Sequence, residues 1–129
     1  MSAQVTAAAK SAERLTMFII LRKDLVEKEG WPIGAMMTQA CHAATAALWT
    51  FRDQPQTIQY LQDIPNMTKV TLEVKSLTDL NYTAKALEDL HIPVYQWREQ
   101  PEDLVTCLAT SPILRSAAGK ALKRVRLWK

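Results

Sequence analysis

The sequence has few glycines and cysteines, and it has no long apolar run. Three glycines in 129 residues exclude the glycine-rich phosphate loops of Rossmann and Walker nucleotide sites. The two cysteines, Cys41 and Cys107, are too few for a zinc site of the CxxC type. Both lie in apolar segments, so we expect buried free thiols rather than a disulfide. No apolar stretch approaches the roughly 20 residues that cross a bilayer, so we expect a soluble protein without a membrane partner.

Acidic residues are missing from residues 104–129, whereas six basic residues lie there: Arg115, Lys120, Lys123, Arg124, Arg126 and Lys129. Subtracting these six charges from the formal charge of +3 leaves −3 for residues 1–103. A basic end on a neutral-to-acidic body suggests a polyanionic partner. A solvated helix face would have the same composition, so both interpretations stay open.

The first 15 residues are rich in alanine and serine and have no large side chain that could anchor a core. We therefore predict a flexible segment over residues 1–15 and one domain over residues 16–129. This segment lacks the apolar centre of a secretory signal, but it has a weak likeness to a transit peptide. We expect a cytoplasmic location, with a mitochondrial one as the alternative.

The pattern of the remaining chain predicts strands alternating with helices. Four segments have the composition or alternation of β-strands: residues 16–21, 67–74, 92–97 and 104–110. Four others have helical spacing or helix boundaries: residues 34–51, 56–62, 77–90 and 111–123. This order predicts a single α/β domain, with a four-stranded mixed β-sheet that carries helices on both faces.

The predicted helix over residues 34–51 is the element around which the chain is organised. Its many alanines favour the helix and allow neighbouring elements to approach closely. One set of residues recurs at helical spacing and predicts the face toward the core: Met37, Cys41, Ala44, Leu48 and Phe51. Ala35, Gln39 and His42 lie in a line on another face, where we expect a chemical site.

Three polar residues near predicted boundaries have local interpretations. Asp24 follows the first strand, where open α/β sheets place ligand groups, although a turn carboxylate is equally consistent. Ser76 is a predicted N-cap of the helix that follows it. His91 follows the end of that helix and is interpreted as a capping residue rather than a ligand.

Two motifs carry a family resemblance. Residues 22–25 read Arg-Lys-Asp-Leu, and residues 34–43 contain Gly34, Gln39, Cys41, His42 and Ala43 in the pattern G-x-x-x-x-Q-x-C-H-A. These motifs and the order of elements over residues 16–128 resemble the type 2 peptidyl-tRNA hydrolases. The likeness is to the divergent branch described as peptidyl-tRNA hydrolase domain-containing proteins, and it implies the α/β fold of that family.

The chain departs from the family pattern at two places. The helix motif of the family begins Gly-Lys, whereas Ala35 follows Gly34 here. The family also has an Asp-Ala-Gly-x-Thr segment after its third strand, and residues 97–101 (WREQP) replace it here. Neither the lysine nor the Asp/Thr pair carries over to this chain, whereas Arg22, Asp24, Gln39 and His42 do.

The resemblance implies a hydrolase that cleaves the ester between a peptide and tRNA and needs no metal or cofactor. His42 is the predicted general base, because its unperturbed pKa lies near neutrality. Asp24 would orient His42 or a water molecule, and Gln39 would donate a hydrogen bond to the carbonyl oxygen. The predicted substrate contacts are Arg22, Thr38, Arg98, Lys120, Lys123 and Arg124, the last three to tRNA phosphates.

Other functions stay open at this point. Loss of the motif lysine at Ala35 is consistent with a catalytically impaired tRNA- or RNA-binding or adaptor domain that keeps the hydrolase fold. A protein-interaction module using Trp49 or Trp128 is a weaker possibility, and a homodimer is a possible assembly. A single histidine on an alanine-rich helix is also often only a hydrogen-bonded packing residue.

Overall fold

The computed structural model describes residues 13–129. Its helices and strands follow in this order: β1 (Leu15–Arg22), α1 (Asp24–Glu27), α2 (Ile33–Thr50), α3 (Pro55–Gln62), β2 (Lys69–Val74), α4 (Leu77–Asp89), β3 (Val94–Glu99), β4 (Leu104–Thr110), β5 (Ile113–Leu114) and β6 (Arg126–Leu127). Two 3-10 segments, Ile64–Asn66 and Arg115–Leu122, complete the fold. Most of the predicted flexible segment, residues 1–12, lies outside the described residues, and Leu15 already belongs to β1.

The strands form one mixed sheet, as predicted, but residues 13–129 contribute six strands to it rather than four. The order is β3-β4-β1-β2-β6, and β5 pairs with the start of β1. β1 and β2 pair in parallel, and the other strand pairs within residues 13–129 are antiparallel. The four predicted strands are the four long ones. The two additional strands have two residues each, which is too short for an alternating pattern to be visible in the sequence.

One edge of the sheet collects the ends of the strands from which the site is built. Arg22 lies opposite Val74 at the end of the parallel pair. Glu99 at the end of β3 lies opposite Leu104 at the start of β4. Arg126 at the start of β6 lies opposite Glu73. We call this line of strand ends the carboxyl edge.

The two faces of the sheet carry separate cores, because successive side chains of β1 point to opposite faces. Met17, Ile19 and Leu21 pack under α2. Phe18 and Ile20 pack on the other face, in the core that includes buried leucines of α4. The second 3-10 segment, Arg115–Leu122, which we call the 3-10 segment from here on, joins this second core through two buried alanines, Ala118 and Ala121.

Helix α2 is turned relative to the prediction. Its buried residues are Met36, Gln39, Ala43, Ala44 and Ala47. Of the predicted core face, Ala44 is buried and Leu48 and Phe51 are partly buried against the same core, but Met37 and Cys41 were wrong. The centre of the buried face lies about one residue, or roughly 100°, from the predicted one. Met37 is 63% exposed, and Cys41 is exposed as well. Alanines face the strands because their small side chains let the helix lie close to the sheet, and larger residues flank the contact.

The final predicted helix was also wrong. Instead of starting a helix, buried Ser111 and Pro112 lead into β5, where Ile113 lies opposite Thr16. The chain then continues as the 3-10 segment. The backbone N–H of Ser111 donates to the carbonyl of Pro93 at 2.9 Å. Pairing of this stretch with earlier strands thus prevails over its local helix-start signal.

The predicted boundaries of α4 are correct to within a residue. The Ser76 side chain accepts from the N–H of Asp79 at 3.2 Å, which confirms the N-cap. His91 follows the helix with φ of 59°, and its N–H donates to the carbonyl of Glu88 at 2.8 Å. A residue in this left-handed conformation is a common way for a helix to end.

The two cysteines differ in environment. Both thiols are free, as predicted, but only Cys107 is buried, and the expected burial of Cys41 was wrong. Burial raises the pKa of the Cys107 thiol, so it stays protonated. Within residues 13–129, no helix is long and apolar enough to cross a membrane. The same stretch contains no group of three or more His, Cys, Asp or Glu side chains placed to hold a metal ion.

Candidate active site

His42 lies on the flank of α2 that faces β3. Its side chain is exposed, and its ring stacks on Trp97 with centroids 4.6 Å apart and planes inclined by 22°. The stack covers one side of the imidazole with an aromatic surface and fixes its orientation. An exposed, oriented imidazole is able to exchange protons with a bound molecule, as a general base must.

Gln39 lies three residues before His42, and it is only 1% exposed. Its Nε2 donates to Glu99 Oε2 at 2.8 Å. Its Oε1 accepts from Thr106 Oγ1 at 2.7 Å. Both ends of the amide are therefore held, and the group ties α2 to strands β3 and β4. In this conformation Gln39 has almost no surface to offer to a substrate carbonyl.

Glu99 is the carboxylate of this site. Besides its bond to Gln39, it accepts from Trp97 Nε1 at 3.2 Å through Oε1. The hydrogen bond from Gln39 lowers the pKa of Glu99, and the Trp97 bond and the charge of His42 lower it further, against a smaller opposing effect of burial. Glu99 thus stays ionised near neutrality, with His42 close enough for their charges to interact.

An irregularity in the sheet brings Thr106 to Gln39. Trp97 pairs with Cys107, but the next residue, Arg98, pairs with Val105. Thr106 is therefore the extra residue of a bulge in β4. Bulges commonly re-aim a side chain, and here the bulged residue donates to the buried amide of Gln39.

Arg22 and Asp24 form a pair at the carboxyl edge. Asp24 is the first residue of α1 rather than the end of a strand. Arg22 donates to its two carboxylate oxygens at 3.2 and 2.7 Å. Arg22 also donates to the carbonyl of Val105 at 3.1 Å, next to the bulged residue. The structure thus joins Asp24 to Arg22 rather than to His42, and the pair braces the bulged strand.

The remaining predicted contacts are spread over the molecule. Thr38 is exposed, and its hydroxyl donates to the carbonyl of Gly34 at 3.1 Å. Arg98 donates to the carbonyl of Asp103 at 3.0 Å and so closes the β3–β4 turn. Lys120 lies in the 3-10 segment Arg115–Leu122. Lys123 and Arg124 follow it, between Leu122 and Val125, which pack against the core on the α4 face. They are therefore not on the face that carries His42.

An apolar groove lies on the flank of α2 opposite His42. This apolar groove of about 630 Å³ is bordered by Met36, Met37, Thr71 and Trp128. It contains none of the predicted site residues. The polar cluster of Gln39, His42 and Glu99 and this apolar groove thus lie on opposite sides of the same helix.

Sequence reasoning missed Trp97, Glu99 and Thr106. The alternation of β3 places Trp97 and Glu99 on one face, so these two could have been found from the strand pattern. Thr106 could not, because its direction depends on the bulge. Trp97 and Glu99 lie within residues 97–101, the segment in which the chain departs from the resembling family.

Comparison with known proteins identifies the family. A sequence model described as "Peptidyl-tRNA hydrolase PTH2" matches residues 15–128. The chain belongs to the PTH2 family. Two curated relatives carry the name "Putative peptidyl-tRNA hydrolase PTRHD1". The human protein is 42% identical over 127 residues, which cover 98% of this chain and 91% of the relative. The mouse protein is 43% identical over 116 residues, covering 89% and 83%.

Family membership confirms the resemblance seen in the sequence, and it directs attention to the α2 motif of this PTH2 chain. That motif begins at Gly34 and Ala35 and reaches the polar cluster at Gln39 and His42. Around it the chain provides an imidazole, an ionised carboxylate and a fixed amide. Such a set is suited to proton transfer and to stabilisation of a positive imidazolium.

Proposed function

We propose that this protein hydrolyses peptidyl-tRNA, cleaving the ester between the peptide and the tRNA. One observation carries the proposal: the exposed His42, on the family's motif helix, is stacked on Trp97 beside the ionised Glu99. The PTH2 family match and the names of the relatives support the same substrate class. The location in the cytoplasm stays a prediction.

His42 acts as the general base in the proposed reaction. It takes a proton from a water molecule as the oxygen attacks the ester carbonyl, and a tetrahedral oxyanion forms. The carbon–oxygen bond to the tRNA ribose then breaks. The leaving ribose oxygen takes the proton back from the imidazolium, giving a free carboxylic acid and free tRNA. The Glu99 carboxylate stabilises the imidazolium while the proton resides on it.

Gln39 serves in this proposal as a positioning residue, which replaces the direct donor role expected from the sequence. It holds Glu99 and is itself held by Thr106, so the carboxylate keeps its place beside His42. Asp24 contributes indirectly through Arg22, which anchors the bulged strand at Val105. Preorganised charges of this kind lower a barrier because they need no reorganisation during the reaction.

Substrate contacts by Arg22, Thr38, Arg98, Lys120, Lys123 and Arg124 stay predictions. Thr38 is the best supported by position, since it lies on α2 one turn before His42 and is exposed. Arg22 is engaged by Asp24, and Arg98 by Asp103. To contact the substrate, Arg22 or Arg98 would have to bind it while still paired with its own carboxylate.

The principal test compares the two histidines of the chain. Purified protein is incubated with an N-acetylaminoacyl-tRNA, and released tRNA is measured over time. His42→Ala is expected to reduce the rate by about 100-fold or more, the usual contribution of a general base. His91→Asn is the matched control, because asparagine tolerates the left-handed conformation at that position. The wild-type rate should persist in this control.

The proposal fails if the wild-type protein releases no tRNA above the rate in buffer, or if His42→Ala hydrolyses as fast as wild type. A second variant addresses the missing lysine. Ala35→Lys should increase hydrolysis if the site is otherwise complete. An inactive wild-type chain that binds tRNA and stays inactive as Ala35→Lys would instead indicate an RNA-binding domain that has lost catalysis.

A further inference from the structure

A basic groove lies at the carboxyl edge, where β2 ends and β6 begins. It has a volume of about 460 Å³ and is bordered by four cationic residues: Lys75, Lys123, Arg124 and Arg126. Two carboxylates, Glu73 and Asp79, also border it. We call this feature the edge groove.

The arginines of the edge groove are paired, whereas its lysines are not. Arg124 contacts Asp79 at 3.2 Å, and Arg126 contacts Glu73 at 3.4 Å. Lys75 and Lys123 are exposed, and neither makes an ion pair within residues 13–129. The groove therefore presents two uncompensated positive charges beside two arginines whose positions are fixed by carboxylates.

The wall of the groove is held in place by the end of the chain. β6 pairs with β2, and the N–H of Trp128 donates to the carbonyl of Thr71 at 3.1 Å. Lys23 Nζ lies 4.0 Å from the centre of the Trp128 ring. These contacts fix the backbone next to Arg126, so the cations of the groove need little ordering when an anion binds.

The register of the sheet relates the edge groove to the candidate active site. Glu99 and Arg126 both lie on the carboxyl edge, at the two ends of the order β3-β4-β1-β2-β6. Four strand spacings separate them, which is roughly 19 Å at about 4.8 Å each. Stacked nucleotides rise about 3.4 Å each, so this span corresponds to roughly five or six nucleotides.

We propose that the edge groove binds backbone phosphates of the tRNA several nucleotides before its esterified 3′ end. This inference rests on the proposed function, because the active site fixes where that 3′ end lies. Lys75 and Lys123 supply the charges, and Arg124 and Arg126 border the path. Phosphates suit such a groove because exposed ammonium groups bind them as point charges, independently of base sequence.

The test measures binding of uncharged tRNA at several salt concentrations by fluorescence anisotropy. The double variant Lys75→Gln/Lys123→Gln is expected to weaken binding roughly tenfold at low salt. The slope of log K against log salt should become shallower by about 1.4 to 1.8, because two phosphate contacts are lost. The matched control is Arg52→Gln/Lys85→Gln, which removes two exposed charges elsewhere and should change affinity far less.

A short RNA tests the predicted distance. A trinucleotide that ends in a 3′ adenosine spans only about 10 Å, so when it is bound at the active site it cannot reach the edge groove. Its inhibition of peptidyl-tRNA hydrolysis should therefore be equal in the wild type and the groove variant. Unchanged tRNA affinity in the groove variant overturns the proposal, and so does an equal loss of tRNA affinity in the control or an equal loss of inhibition by the trinucleotide. If the groove variant instead loses polyglutamate binding and keeps its tRNA affinity, the groove is assigned to an acidic protein partner, and the proposal is overturned as well.

The measurement of tRNA affinity is separable from the test of hydrolysis, because uncharged tRNA has no ester. A chain that binds tRNA through the groove but does not hydrolyse peptidyl-tRNA rejects the proposed reaction only. If the protein hydrolyses peptidyl-tRNA but its affinity for tRNA does not depend on Lys75 and Lys123, only the proposal for the edge groove is rejected.

Discussion

The two faces of the sheet are built in different ways. Under α4 the core is aliphatic apart from Phe18, and Leu80 and Leu87 are fully buried. Under α2 the helix contributes mainly alanines, and a hydrogen-bonded glutamine lies among them. The buried positions of α4 include two leucines, whereas those of α2 are mostly alanines, whose small side chains let the helix lie close to the sheet so that polar side chains meet across the layers.

This difference indicates a division of roles. The α4 face mainly stabilises the fold, and the α2 face holds the candidate active site. Gln39 reaches Thr106 and Glu99 from α2, and the small side chains of the fully buried Ala43 and Ala47 favour this close approach of helix and sheet. Substitutions on the two faces should therefore separate stability from activity.

The largest expected effect on stability is on the α4 face. Leu87→Ala should lower the free energy of unfolding by about 3 kcal/mol, because it removes a fully buried side chain and leaves a cavity. The protein that stays folded should hydrolyse at the wild-type rate. Denaturant unfolding and the rate per folded molecule check this. Leu77→Ala, at an exposed position of the same helix, should cost less than 1 kcal/mol, and an equal cost would contradict the division.

Overpacking the α2 face should affect both properties. Ala43→Leu adds bulk at a fully buried position and is expected to cost about 2 kcal/mol. It should also reduce hydrolysis strongly, because moving α2 away separates Gln39 from Thr106. Thr45→Leu, at an exposed position of α2, is the control. A stable Ala43→Leu protein with the wild-type rate would show that close approach of the helix is not needed.

Removing the hydrogen bond between Thr106 and Gln39 should lower the free energy of unfolding by less than either of these core substitutions. Thr106→Val keeps the shape but leaves the buried Oε1 of Gln39 without a donor, for about 1 to 2 kcal/mol. Combining it with Gln39→Leu should cost less than the sum of the two single variants, since the residues interact directly. Additive costs in this double-mutant cycle would mean that the bond contributes nothing to stability.

The smallest effect concerns pH. The pKa of Glu99 is lowered in the folded protein from its ordinary value of 4.5. Its contribution to stability is therefore complete above that value and is lost as the pH falls below it. The difference in unfolding free energy between wild type and Glu99→Gln should thus shrink as the pH falls below the ordinary value of 4.5. A difference that does not change as the pH falls below that value would contradict the hydrogen bonds assigned to Glu99.

Much of the fold follows from local patterns. The alternation of residues 69–74 and the helical spacing of residues 77–89 are visible in one segment at a time, so these elements were predicted within a residue or two. The motif at Gln39 and His42 was found for the same reason, since residues on one helix have a known spacing. The short strands β5 and β6 and the 3-10 segment depend on distant partners and were missed.

The sequence by itself thus determined the α/β order of elements, the family and the helix that carries the candidate base. The tertiary structure decided which side of α2 is buried, that Glu99 and Thr106 hold Gln39, and that Asp24 pairs with Arg22. It also decided which basic residues share the edge groove. The physical reason is that periodicity reports how residues within one segment face each other, whereas register, bulges and layer contacts are set by packing between segments far apart in the chain.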